Sequence, residues 1–328
     1  MDKERLLWRF IAAHLKRKQP VMLLVVAESS GSSPGRQGFK MAVGADGALC
    51  GSIGGGIMEV KLVELAKTRL KESPSDVLVK KQIHRKAAPR HQSGMICSGE
   101  QTVLFWALDP QHHLKAVSRV LYCLKNHKSA TLKLAQTAEG RQFEVAEKEV
   151  PAMDFQFESP GAPYFFYAEK LGFKNRLYIV GGGHCALALS ALMSNMDFYL
   201  CLLDDRPDLS TLRKNKFIHE KRILDTYDQV GGFIPSGPDV YVVVMTLGYR
   251  SDALVLRQLL DKNLRYLGLL GSAAKVSTLL EALRSERYPL EKIEQIKAPI
   301  GLPIHSRTPE EIAVSIAAEL ILRKNGEG

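Results

Sequence analysis

Leu177-Tyr178-Ile179-Val180-Gly181-Gly182-Gly183-His184-Cys185-Ala186 is the stretch on which the fold of this 328-residue chain turns. Four apolar residues suited to a strand run into G-x-G-x-x-A, and a helical pattern follows. In a strand-to-helix handover of this kind, Gly181 makes the tight turn and Gly183 lets a pyrophosphate approach the main chain. Ala186 lets the helix pack closely on the strand. A second apolar run, 199–203, ends in Asp204-Asp205, and Asp204 follows Gly181 by 23 residues, near the roughly 20 of a dinucleotide site. An acid there accepts hydrogen bonds from ribose hydroxyls and repels a 2′-phosphate, which favours NAD over NADP. Working outward, the apolar runs 177–180, 199–203, 239–245 and 266–270 alternate with helical patterns. That alternation predicts a parallel, doubly wound, Rossmann-like sheet. The same scaffold also serves crevices that bind something else or dock a partner, and His184 reads as an exposed helix-start residue.

A second glycine turn lies about 130 residues earlier, Gly51-Ser52-Ile53-Gly54-Gly55-Gly56-Ile57-Met58-Glu59. No Lys-Ser/Thr follows its last glycine, so it is not a P-loop. It still presents main chain to a ligand at the start of a helix. Glu59 falls in the first helical turn, where a carboxylate offsets the helix dipole. Arg36 and Lys40 precede the turn and are expected to converge on one anion. Cys97 closes a polar loop, where a thiolate near basic groups would suit a soft metal or sulfur transfer.

Around these turns the pattern predicts a helix over 3–17 with Leu6, Leu7, Phe10, Ile11 and Leu15 on one face. A continuous apolar strand follows at 21–27, then a hairpin through Gly44–Gly47, a four-turn helix after Gly56, and strands near 77–83 and 101–108. The fold class expected is α/β, an N-terminal α/β domain (1–108) and a C-terminal Rossmann-like domain (175–328). An α+β region (109–174) is expected to connect them. Thr308-Pro309-Glu310-Glu311 predicts a capped terminal helix.

Composition narrows the function. Hydrophobic residues are 45 % and charged residues 24 %, ordinary for a globular chain. No apolar run nears the roughly 20 residues of a membrane span, and the mixed-charge start lacks a signal peptide's apolar stretch, so the cytoplasm is expected. Five widely spaced cysteines without a C-x-x-C pair argue against a disulfide framework or a zinc ribbon. The net charge of +10 suits an acidic ligand or simply a solvated exterior. Its basic residues are spread along the chain without the aromatic interleaving of a nucleic-acid binder.

Several blocks together resemble the XdhC/CoxI family: Ser29–Pro34, Gly38–Met41, Gly51–Gly56 with Glu59, Gly181–His184, Asp204–Pro207, Tyr266–Ser272 with Lys275, Ala298–Leu302 and Thr308–Ile316. The likeness covers nearly the whole chain and is weakest over 109–170. It implies a non-catalytic maturation factor for molybdenum hydroxylases such as xanthine dehydrogenase. Such a protein binds the molybdenum cofactor (molybdopterin), holds it during sulfuration and passes it to the apo-enzyme. Implied partners are an apo molybdenum hydroxylase and a cysteine desulfurase-type sulfur donor, and a homodimer is among the expected assemblies.

On this reading Arg36, Ser52, Gly54, Gly55, Gly56 and Glu59 surround the cofactor, with Cys97 at the metal. Gly181, Gly183, Asp204, Asp205, Gly271, Ser272 and Lys275 line the second crevice, where NAD(P) is an additional expected ligand. The chain departs from the family pattern where Ile57 replaces a frequent Cys, where Cys97-Ser98-Gly99 replaces Cys-Gly-Gly, and where Tyr249 replaces a frequent His. The alternative is an NAD-dependent oxidoreductase with an interdomain active site, for which no hydride-transfer set is recognisable.

Overall fold

The computed structural model describes residues 2–72, 77–83, 99–147, 153–161 and 163–326. The chain forms two compact units, Met1–Gly172 and Phe173–Gly328.

The first unit opens with α1 (Asp2–Lys16), then β1 (Val21–Ser30), β2 (Lys40–Gly44), β3 (Leu49–Gly51), α2 (Gly56–Glu72), β4 (Val77–Ile83) and β5 (Glu100–Leu108). The strands make an antiparallel sheet in the order β3-β2-β1-β5-β4. Side chains alternate across a strand, so Val21, Leu23, Val25 and Ala27 of β1 join the cluster that includes α1. Met22, Leu24 and Val26 join the one that includes α2. Cover on both faces is why β1 reads as an unbroken apolar run. On α1 the buried stripe is Leu7, Trp8, Ile11, Ala12 and Leu15, and Leu6, expected on it, is 55 % exposed. Helical spacing from Leu7 brings in Trp8 and Ala12 instead.

α3 (Pro110–Lys125), β6 (Ala130–Thr137), β7 (Gly140–Ala146), β8 (Phe155–Gly161) and β9 (Tyr164–Leu171) follow. These four strands form a second antiparallel sheet, β7-β6-β9-β8. Its Leu132, Leu134, Phe165 and Tyr167 share one apolar cluster with α1 and β1. The region expected to connect two domains is therefore part of the first unit's core.

The second unit runs β10 (Asn175–Val180), α4 (His184–Met193), β11 (Phe198–Asp204), α5 (Ser210–Lys214), β12 (Glu220–Ile223), α6 (Val230–Phe233) and β13 (Gly237–Val244). It continues with α7 (Tyr249–Leu259), β14 (Leu264–Leu269), α8 (Ala273–Ser285), α9 (Leu290–Glu294), β15 (Ile296–Lys297) and α10 (Pro309–Asn325). All six strands are parallel, in the order β12-β11-β10-β13-β14-β15. Numbered from β10, this is the 3-2-1-4-5-6 order of the Rossmann fold, with the switch point between β10 and β13. Leu177 and Ile179 pack on the face with α4 and α10, and Tyr178 and Val180 on the face with α7 and α8. α10 starts as expected: Thr308 caps the Glu311 N–H, and Glu311 accepts from the Thr308 N–H. Among the described residues no helix is long and apolar enough to cross a membrane.

Candidate functional site

The two glycine turns differ in how much of their main chain is already bound. In the first, the Glu59 carboxylate reaches back from α2 and accepts from the Ser52 hydroxyl (2.7 Å), the Ile53 N–H (2.8 Å) and the Gly55 N–H (3.0 Å). The turn's own acid thus occupies amides that an anionic ligand would use. From behind, the turn is held by close main-chain packing. A Cβ on Gly35 would meet the Ile53 carbonyl at 2.1 Å, and one on Gly54 the Gly35 nitrogen at 2.6 Å, whereas one on Gly55 would meet nothing.

Gln101, at the start of β5 and 1 % exposed, ties the same loops together. It accepts from the Ser33 hydroxyl (2.8 Å) and the Gly35 N–H (3.3 Å), and donates to Met58 Sδ (3.0 Å). Sequence reading missed it. The available signal was an amide immediately before seven residues of strand pattern, a place where a buried polar group must find partners.

Arg36 is exposed and donates to the Gly31 carbonyl at 3.2 Å. Lys40, expected beside it, is committed elsewhere. Its ammonium lies 2.8 Å from Glu169 and 3.6 Å from Glu4, with 7 % of the side chain exposed. Burial pulls its pKa down, but Glu169 and Glu4 outweigh burial and the net direction is up. Lys40 therefore holds β2 to β9 rather than an anion. Cys97 lies outside the described residues, and among these no cluster of three metal-capable side chains occurs.

The second turn has an open front. Gly181 sits at φ +105, and a Cβ there would lie 2.4 Å from the Met245 carbonyl, so only glycine fits. Ala186 is wholly buried against the sheet. Gly183 is the N-cap of α4, carries no side-chain cap, and its Cβ direction is empty. Free amides at a helix start, facing space, are a setting for an anion. Cys185 beside them is half-buried; burial and then Glu310 push its thiol pKa up, so it is a thiol rather than a nucleophilic thiolate.

Asp204 is not free for ribose. It is wholly buried, and its carboxylate accepts from the Gly182 N–H (2.6 Å), the Arg206 N–H (2.8 Å), Arg206 Nε (2.9 Å) and Arg206 Nη2 (2.7 Å). Thr211 donates to the Gly182 carbonyl, so both polar groups of Gly182 are fastened. Asp205, with 33 % of its side chain exposed, is the more accessible acid, its carboxylate 3.7 Å from Arg206 Nε. Burial raises the Asp204 pKa, but the bonds donated by Arg206 and Gly182 prevail and hold it below the usual 3.8. A depressed carboxyl contributes stability above its unfolded pKa and loses it as pH falls through the folded value. The stability gap between wild type and Asp204→Asn, from urea unfolding, is accordingly expected to be full at pH 6 and to close at pH values below 3.8. A gap independent of pH would contradict the assignment.

At the carboxyl ends of β13 and β14 stands a cluster that the sequence named only piecemeal. Asp252, wholly buried on α7, accepts from the Thr246 N–H (3.1 Å) and hydroxyl (2.5 Å), and its other oxygen is ion-paired with Lys275. Ser272 caps α8 by accepting the Lys275 N–H at 3.3 Å, and Gly271 leads into it. Lys275 keeps 24 % of its side chain exposed, a cation pinned at the sheet edge where open α/β folds bind ligands. The fold and this site define a Rossmann-type unit whose glycine turn opens a helix without a side-chain cap, joined in sequence to a second α/β unit whose glycine turn is closed by its own acid.

Residues 177–320 match the XdhC Rossmann domain and residues 14–80 match the XdhC and CoxI family. The chain belongs to the XdhC/CoxI family. It is 23 % identical over 317 residues to the uncharacterized protein YqeB of Escherichia coli, covering 96 % of this chain and 46 % of that one. Over 156 residues it is 31 % identical to a probable xanthine dehydrogenase subunit of Bacillus subtilis, covering 47 % of this chain and 44 % of that one. The aligned regions thus take in less than half the length of either curated relative. A crystal structure described as a xanthine dehydrogenase from Bacillus halodurans superposes with a TM-score of 0.72 at 25 % identity, covering 98 % of this chain and 96 % of that one.

Proposed function

We propose that this chain is an accessory factor for a xanthine dehydrogenase-type molybdenum hydroxylase. It would bind the molybdenum cofactor, protect it during sulfuration, and deliver it to the apo-enzyme in the cytoplasm. The observation that carries the reading is end-to-end likeness to a protein described as a xanthine dehydrogenase, together with both family segments in one chain. A cysteine desulfurase-type donor would supply the sulfur.

The residues fit a phosphate-bearing cofactor at the second turn better than at the first. Glu59 already binds the amides of Ile53 and Gly55, whereas Gly183 opens α4 with no side-chain cap. The main chain at Gly183, Cys185 and Ala186, with Lys275, would hold the phosphate. When bound, the cofactor supplies the molybdenum and its dithiolene. The remaining contribution of the chain is to orient the group and exclude water.

Protein incubated anaerobically with molybdenum cofactor and desalted is expected to release stoichiometric fluorescent pterin on oxidation. Gly183→Asp is expected to lower that yield at least about tenfold at equal protein recovery. Asp is a favoured N-cap, so the fold is retained while a negative charge meets the phosphate. Wild type without pterin would sink the proposal. The Rossmann strand order keeps NAD(P) binding by an oxidoreductase as the second reading, against which the fastening of Asp204 weighs.

A further inference from the structure

A concave site lies in the C-terminal unit, at residues that, Tyr266 and Leu267 apart, none of the motifs above includes. A cavity of about 300 Å³ is lined by Lys262, Arg265, Lys292, Lys297 and Arg323, with Tyr266 in its wall. Lys292 is paired with the exposed Asp261. Lys262, Lys297 and Arg323 form no ion pair among the described residues, and Arg265 donates only to the Arg323 and Gly326 carbonyls, at 3.2 and 3.3 Å. Four cations thus share one small concavity without a carboxylate among them.

The ordinary explanation for such cations is the helix dipole. Lys262 follows the end of α7, and Arg323 lies in the last turn of α10, where positive charge offsets the negative helix end. Each end is equivalent to only about half a negative charge. Two ends therefore offset about one of the four cations, and even with Glu319 bonded to the Tyr266 hydroxyl behind the wall a net positive charge remains facing the cavity. Gathering like charges in a concave space costs energy by repulsion, and a bound polyanion removes that cost.

We infer that this cavity is a binding site for a small ligand carrying two or more phosphoryl groups. A compact polyphosphate brings three or four negative charges into this volume, where a simple dicarboxylate brings two. The Arg265 guanidinium is fixed by two carbonyls through Nη2, which leaves the N–H groups of Nη1 and Nε to donate to phosphate oxygens. Leu260 and Leu267, both nearly buried, give the wall apolar surface beside Tyr266. The site depends on no property of the molybdenum cofactor reading.

The test is isothermal titration of the full chain at low ionic strength with tripolyphosphate and, separately, with ATP. Saturable binding below about 1 mM is expected, weakening as salt is raised. Lys262→Ala/Lys297→Ala is expected to weaken it at least tenfold, Arg323→Ala to weaken it independently, and Lys71→Ala, in the other unit, to leave it unchanged. All variants are compared at matched circular dichroism, since the three cavity side chains are partly or fully exposed. Tighter binding of ATP would identify a nucleotide, and equal binding a free polyphosphate. Absence of heat with both ligands, or full affinity in the double variant, would overturn the assignment.

Discussion

Asp252→Ala is expected to destabilise the C-terminal unit by about 3 kcal/mol or more, among the largest effects of any single side-chain truncation in the chain. The carboxylate is wholly buried and serves three donors: the Thr246 N–H, the Thr246 hydroxyl and the Lys275 ammonium. Truncation leaves a buried amide unsatisfied, which costs about 1–3 kcal/mol. It also leaves the ammonium of Lys275 without its counter-charge. Removing one partner of a buried ion pair costs about 3–5 kcal/mol, and the 24 % exposure of Lys275 moves this case to the lower end. For a unit of this size that corresponds to a fall in Tm of roughly 6–12 °C.

The double variant Asp252→Ala/Lys275→Met separates the two causes. It removes the stranded charge, so its loss should be smaller than that of Asp252→Ala alone. Hydrogen exchange of peptides spanning residues 237–285 gives the local readout. A double variant less stable than the single one would show that Lys275 contributes to the fold by packing, and the ion-pair argument would fail.

The same cluster shows what the sequence could and could not disclose. Gly181 and Ala186 were legible because their roles are steric and local: a positive φ and a tight helix contact. The parallel sheet followed from alternation of element type. β12 and β15 were not legible. Glu220–Ile223 is a short, charged edge strand, and such strands carry little apolar signal. The Ile296–Lys297 strand has two residues, too few for any period.

Side-chain partners were harder still, because neither hydrophobic period nor glycine spacing marks them. Asp204 was placed correctly at the strand end, yet Arg206, two residues on, occupies it. Lys40 opens β2, yet Glu169, on another sheet, binds it. Gln101 joins three segments, and the sequence marked none of those contacts. A motif fixes where main chain will turn. Which charges remain free at the turn depends on residues that the motif does not include.

Adjacent glycines in the first turn give the sharpest contrast of cost. Gly54→Ala is expected to destabilise the N-terminal unit by about 3–5 kcal/mol, and Gly55→Ala by only about 1–2 kcal/mol. Gly54 lies at φ +128, and its Cβ would sit 2.6 Å from the Gly35 nitrogen and 2.9 Å from the Pro34 carbonyl carbon. Both contacts are main chain, so relief requires moving a loop that Gln101 holds in place. Backbone strain of about 1–3 kcal/mol adds to overpacking of about 1–3 kcal/mol. Gly55 lies at φ +75, in the left-handed region that alanine enters at about 1–2 kcal/mol, and its Cβ meets nothing within 4 Å. Urea unfolding followed by tryptophan fluorescence reads this unit directly, because the chain's two tryptophans, Trp8 and Trp106, both lie in it. Equal losses for the two variants would mean that the Gly35–Gly54 contact relaxes freely. A large difference would mean that the turn is fixed from behind by its neighbours while its front at Gly55 stays open, leaving Glu59, rather than the glycines, to decide whether an anion can bind there.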